Sequence, residues 1–227
     1  MIFRFEGKWK LHPMLFSAII AGERGKPVEN LYVVVSATPA KIGKLIRFVT
    51  RAPINHVAVA RKEDLSDLVS FARRFYRTPL YGGFVRESME RYTDGKFFSP
   101  VRVFAIPLDD NQAERIDRRI GEMNADPERY LYNLADAALV PFRRRADRVD
   151  AYTCLGFVCL LLRDAGILSG EPVYGIMELG ELLKKYRLYE GTMDHFALPE
   201  DPDYRKRISF LEGTRLTLRQ LRELRRR

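Results

Sequence analysis

The stretch from Asp150 to Gly166 constrains this chain more than any other segment, because it reads as an apolar helix opened by a cysteine, Cys154, and stopped by a glycine. A helix is predicted over Tyr152 to Ala165. A thiol in the first turn lies among free backbone N–H groups at the positive end of the helix dipole, where a thiolate is stabilised. Cys159 falls in the middle of the same helix among leucines and is expected in the core. The two cysteines stand five residues apart on one helix and face different sides, so no disulfide framework is expected. A thiol nucleophile needs a base. His56, at the start of the short β-type run His56 to Ala60, is the candidate, and the pair suggests Cys/His acyl chemistry with the histidine upstream.

At 227 residues and 46% hydrophobic content, the chain can bury a full core as one domain. No run approaches the roughly 20 apolar residues of a membrane span. Met14 to Gly22 follows Arg4, Lys8 and Lys10 and faintly resembles a signal peptide, but Glu23 and Arg24 come at once with no cleavage site. It reads as a short N-terminal helix, and a cytoplasmic protein is expected. The net charge of +9 gathers at Arg143 to Arg145, Arg205 to Arg207 and the tail from Arg219 to Arg227. No helix-turn-helix, zinc-finger spacing or phosphate loop accompanies these clusters, so no specific nucleic-acid partner is expected. They read as a solvated face and a tail making at most weak, salt-sensitive contact with an anionic surface. Leu216, Leu218, Leu221 and Leu224 form no compact helical stripe at about 100° per residue. Deleting residues 214–227 is therefore expected to leave folding nearly unchanged. Two cysteines and three dispersed histidines offer no metal-ligand spacing, and no cofactor is implied.

Along the chain, Leu31 to Ala37 predicts a buried strand. Thr38 and Pro39 start a helix carrying Ile42, Leu45, Ile46 and Val49, which ends before Pro53. His56 to Ala60 and Leu68 to Ala72 read as paired strands, and Gly82-Gly83 as a turn before Phe84 to Glu87. Val101 to Ile106 predicts a strand stopped by Pro107. Asp109 to Met123 reads as a capped amphipathic helix, Tyr130 to Leu139 as a helix or strand–helix junction, and Glu178 to Tyr186 as a shorter helix. Strands in hairpin-like spacing with helices in separate groups predict an α+β fold. The expected organisation is a lead over 1–30, a main domain over 31–190, and an extension with a basic tail over 191–227.

The order strand, helix, Asn55-His56-Val57 at a strand start, second strand, and much later a helix opening Tyr152-x-Cys154-x-x-Phe157-Val158 and ending Ala165-Gly166-Ile167 resembles the circularly permuted branch of the NlpC-type, papain-like cysteine peptidase superfamily. That branch includes lecithin:retinol acyltransferase-like proteins and several bacterial amidases. His56 precedes Cys154 by 98 residues, which suits the permuted order. The segments Val69 to Arg73 and Gly82 to Glu87 are similar to a group of bacterial members, and the resemblance spans roughly residues 31 to 186. It implies a papain-like fold with a central antiparallel sheet packed on the cysteine-bearing helix.

The resemblance further implies a nucleophile at Cys154, a base at His56 and a third polar residue that orients the imidazole. Ser70, on the strand paired with that of His56, is the first candidate for the third residue and Glu87 the second. Many members have a serine after the cysteine where this chain has Leu155. Tyr152, two residues before the nucleophile, and Leu155 are candidate substrate-binding residues. The expected activity is that of a cysteine peptidase or amidase, a hydrolase or acyltransferase cleaving an amide, ester or thioester through a thioacyl intermediate. Its substrate would be a small-molecule, peptide or lipid acyl compound. The alternative is a catalytically silent papain-like module that binds an anionic partner, a reading favoured by Leu155. His12 and His195 are expected at the surface.

Overall fold

A computed structural model describes residues 29–39, 53–170 and 172–227. The expected N-terminal helix, His12 and the helix predicted after Thr38 lie outside them. The fold is α+β, built on one eight-stranded sheet. The first five strands are β1 (Glu29–Ser36), β2 (His56–Ala60), β3 (Val69–Arg73), β4 (Gly82–Arg86) and β5 (Pro100–Leu108). Helix α1 (Asp110–Ala125) follows, then β6 (Leu131–Tyr132), α2 (Leu134–Leu139), β7 (Ala151–Tyr152) and α3 (Cys154–Asp164). The chain ends with α4 (Ile176–Leu182), β8 (Arg187–Thr192) and α5 (Phe210–Arg226). The spatial order is β7-β6-β4-β3-β2-β1-β5-β8, with neighbours antiparallel except β6 and β7.

Both faces of the sheet are covered, which is why β1 reads as a continuous apolar run rather than an alternating one. Leu31, Val33 and Val35 of β1, with Val57, Val59, Val69, Phe71 and Phe84, pack under Phe157, Val158, Leu161 and Leu162 of α3 and Ile116 and Met123 of α1. The intervening positions Tyr32, Val34, Ala58 and Ala60, with Val103 of β5, face a second layer of Leu65, Leu68, Tyr92, Met193 and Leu198. Helix α1 starts where Asp109 predicts it. The Asp109 carboxylate accepts from the Gln112 N–H at 2.8 Å, and the Gln112 side chain accepts from the Asp109 N–H at 3.1 Å.

Four local expectations are corrected. Gly82 and Gly83 are not a turn but lie within β4, where a Cβ on Gly82 would come within 2.6 Å of the Ala72 carbonyl oxygen and one on Gly83 would overlap that of Tyr130. Glycine is there because neighbouring backbones approach too closely for any side chain. Pro107 does not stop β5, which runs to Leu108; pairing with β8 ends at Phe104, so the proline falls where that side of the strand is open. Residues 187–192 form β8 on β5, so the sheet continues across the boundary expected at 190. The tail is also no loose extension. Its leucines drift around α5, and that drift carries Leu224 against Leu131 and Ala151 while Leu218 and Leu221 stay outside. Gln220, buried beside it, accepts from the Gly82 N–H at 2.9 Å and donates to the Tyr132 carbonyl at 3.2 Å. Deleting residues 214–227 would strip these contacts from β4 and β6.

Candidate active site

The cysteine is set in place by the short parallel pair β6–β7. Tyr132 registers with Tyr152, and the Asn133 N–H donates to the Tyr152 carbonyl at 3.0 Å, so the chain leaves β7 directly into α3. Thr153 caps the helix: its Oγ1 accepts from the Gly156 N–H at 3.0 Å and donates to Asp136 Oδ2 at 3.3 Å. Buried Asp136 also accepts from the Ala146 N–H at 3.1 Å and pairs with Arg145 Nε at 3.2 Å. The absence of a side chain on Gly156 admits this cluster, because a Cβ there would lie 3.0 Å from Arg145 Nη2 and 3.1 Å from Thr153 Oγ1. Cys154 is thereby fixed as the first helical residue, 7% exposed. The N–H groups of Gly156 and Phe157 are taken by Thr153. Those of Cys154 and Leu155 belong to the first-turn donors that have no partner within a helix.

His56 opens β2 beside Ser36 and shares the parity of Ala58 and Ala60, which face the Tyr92 layer, whereas Cys154 belongs to the helix layer. β2 registers with β3 at Val59↔Val69, at the end of the strand far from His56, and α3 packs against both strands. The Cys154 side chain lies close enough to His56 to be among the groups that favour its charged form. The imidazole Nε2 is 2.7 Å from Glu87 Oε1, which leaves Nδ1 as the nitrogen for the thiol. The Tyr92 ring closes the site from the second layer, its centroid 6.4 Å from that of the imidazole.

Glu87 is 1% exposed and the most heavily supported group of the cluster. Its N–H donates to the Leu68 carbonyl at 2.8 Å, the Ser70 hydroxyl donates to Oε1, and Arg91 Nε lies 3.8 Å from Oε2. Arg91 is anchored in turn by donating to the Arg73 carbonyl at 2.7 Å. Burial opposes ionisation of Glu87, but the His56 charge and hydrogen bond, with Arg91 and Ser70, outweigh it and hold the carboxyl down at about 2. Burial likewise opposes the imidazolium, yet the Glu87 charge and hydrogen bond, with the neighbouring Cys154, push His56 up to about 10. The site therefore holds a charged His56–Glu87 pair throughout the neutral range. Burial, then the charges of Cys154 and Asp136, keeps the Tyr132 phenol protonated and so a donor near the thiol. Burial alone dominates at Cys159, whose thiol is pushed up to about 11 among core residues.

Cys154 and His56 are brought together, and the third position needs correction. Glu87, not Ser70, holds the imidazole; Ser70, on the intervening strand β3, donates to the same Glu87 oxygen and braces it. Leu155 is also corrected, because it is 4% exposed and part of the core under the sheet. Tyr152 stays half-buried with its ring edge on Phe71, 5.3 Å between centroids. Exposed His195 stacks on Tyr189, 4.8 Å between centroids and away from the site cluster. Sequence reasoning missed Arg91, Tyr92 and Asp136. Arg91 carried a weak signal, four residues after Glu87, the spacing of a helical ion pair. No family model matches the chain, and neither a curated protein nor a solved structure matches it. No described helix is long and apolar enough to cross a membrane.

Proposed function

We propose that this chain is a cysteine hydrolase or acyltransferase and, more particularly, a member of the circularly permuted, NlpC-type branch of the papain-like enzymes. The observation that carries the reading is a first-turn helix thiol close enough to an imidazole to favour its charged form, with one nitrogen of that imidazole bonded to a buried carboxylate. Three groups in that relation are a nucleophile, its proton acceptor and the orienter of the acceptor. The order of histidine strand before cysteine helix supports the permuted assignment. Leu155 no longer speaks for a silent binding module, because a core leucine says nothing of catalysis.

In the proposed cycle Cys154 starts as a thiolate beside the protonated His56, which already holds the thiol proton, and the sulfur attacks the carbonyl carbon of an amide, ester or thioester. The Cys154 and Leu155 N–H groups at the helix start face the developing oxyanion, aided by the dipole of α3. Collapse of the tetrahedral intermediate breaks the bond to the leaving group, which takes the proton from His56. Water or another acceptor then gives up a proton to His56 and releases the acyl group from sulfur. Glu87 keeps one ring nitrogen occupied throughout, so that the other is presented to the thiol and the leaving group.

The test is a panel of activated acyl esters, thioesters and amides with rapid acid quenching and mass analysis of the intact protein. The reading expects one acyl adduct, mapping to Cys154 and absent from Cys154→Ser. A panel that leaves no adduct and releases no product would contradict it.

A further inference from the structure

Helix α5 is amphipathic twice over. One face, Gln220 and Leu224, is buried on the sheet. The opposite face is open, yet Phe210 is 86% exposed, Leu211 80% and Leu218 48%. On a helical projection Leu211 and Leu218 lie about 20° apart, with Leu221 roughly 60° beyond Leu218 and Phe210 at the margin. Arg222, Arg215, Arg226 and Arg219 follow on the other flank, within roughly 80° of Leu211, while Arg225 lies among the leucines. Glu212 and Glu223 stand roughly 100° and 120° from Leu211, off this outer face. Glu223 is already paired with Arg219 at 3.1 Å. A shallow groove on the helix is lined by Leu211, Leu218 and Arg222, with Arg215, Arg219 and the single acid Glu212 toward its flank.

We propose that this outer face of α5 docks the protein on an anionic phospholipid surface. Protruding phenylalanine and leucines beside a band of arginines match the acyl–headgroup boundary, which takes apolar side chains on one level and cations on the next. Bare electrostatic attraction would not need the exposed Phe210, Leu211 and Leu218. A second copy of the chain is a poor occupant, because a symmetric contact would set Arg215, Arg219, Arg222 and Arg226 against their copies with Glu212, among the described residues, as the one unpaired acid at the groove to offset them. The docked face is opposite Gln220 and Leu224, so contact with lipid leaves the packing of α5 on the domain undisturbed. The surface is independent of the Cys154 site.

The experiment is cosedimentation of the full chain with vesicles of phosphatidylcholine alone and with roughly 30% phosphatidylserine, at roughly 0.1 M and 0.5 M salt. Binding is expected to the anionic vesicles, with weakening but not loss at the higher salt. Leu211→Asp/Leu218→Asp should lower the partition at least roughly tenfold, because two apolar side chains no longer enter the interface. Arg215→Glu/Arg222→Glu should lower it by a similar factor, and neither variant should move the melting temperature. Three results would overturn the proposal: no binding to the anionic vesicles, binding indifferent to the leucine variant, or a dimer in light scattering that the leucine variant splits.

Discussion

Replacing Glu87 by glutamine removes one charge from the centre of the site and leaves its shape. The amide still reaches His56 and Ser70, but only Cys154 then opposes the burial that works against the imidazolium. His56 should fall from about 10 to its ordinary value or below. At an ordinary value of about 6.5, roughly one quarter of the imidazole stays protonated at pH 7, and burial, the largest influence on the group, takes it lower. A fall of about tenfold or more in acylation rate at pH 7 is expected from protonation alone. Breaking a buried pair by removing one partner costs about 3–5 kcal/mol, and the surviving hydrogen bonds place this variant at the lower end. For a chain of this size that is a drop of roughly 6–12 °C in melting temperature. Cys154 alkylation by iodoacetamide, followed from pH 5 to 9 beside thermal melts, reads both effects. The wild type should keep its rate down to about pH 6, whereas the variant should lose it. A folded Glu87→Gln protein with the wild-type pH–rate profile would refute the assignment of Glu87 as the group that holds His56 charged.

Further predictions follow the same contacts. Cys154→Ala should abolish acyl transfer with little change in stability, and Cys159→Ala should cost about 1 kcal/mol in urea unfolding while leaving activity in place; exchanged phenotypes would unseat the nucleophile. The stabilisation contributed by His56, whose folded value is raised, is complete below about 6.5 and fades as pH rises through about 10. That of Glu87, whose folded value is lowered, is complete above about 4.5 and fades as pH falls through about 2. The stability difference between wild type and Glu87→Gln should therefore be largest between about pH 4.5 and 6.5, and a difference that grows from pH 6.5 to 9 would contradict the pairing. Gly83→Ala should destabilise by about 1–3 kcal/mol or more, since the Tyr130 backbone must move; unchanged melting would show that β4 and β6 are less tightly apposed. Removing residues 209–227 should lower the melting temperature through loss of the Gln220 bonds and Leu224 packing, and an unaltered melt would restore the reading of a loose tail.

Much of the scaffold was legible because local rules and burial agree there. Asp109 with Gln112, the apolar run after Cys154 and the valines of β1 each carry their element in their own residues. Cys154 and His56 were legible for the same reason: a helix start and a strand start are positions visible in one dimension. Ser70 was preferred to Glu87 because strand adjacency was the available guide, and adjacency cannot say which side chain spans the gap to an imidazole. A glutamate just past β4, two strands from β2 in the sheet, reaches His56 because its backbone folds onto Leu68 and Arg91 neutralises it. Gly82 and Gly83 misled because a glycine pair signals a turn and a tight backbone approach equally, and only the partner strands distinguish them. The tail leucines form no single stripe because α5 uses two faces, one buried at Leu224 and one exposed at Leu211 and Leu218.

The central claim, a thiolate at Cys154 sustained by His56, is tested most directly by alkylation of the folded protein at pH 6 with the labelled residue mapped. The account predicts a single adduct at Cys154, an unlabelled Cys159, and a marked slowing in His56→Ala, whose thiol has lost its neighbouring cation. Labelling at neither cysteine, or a His56→Ala protein that reacts as fast as the wild type, would contradict it.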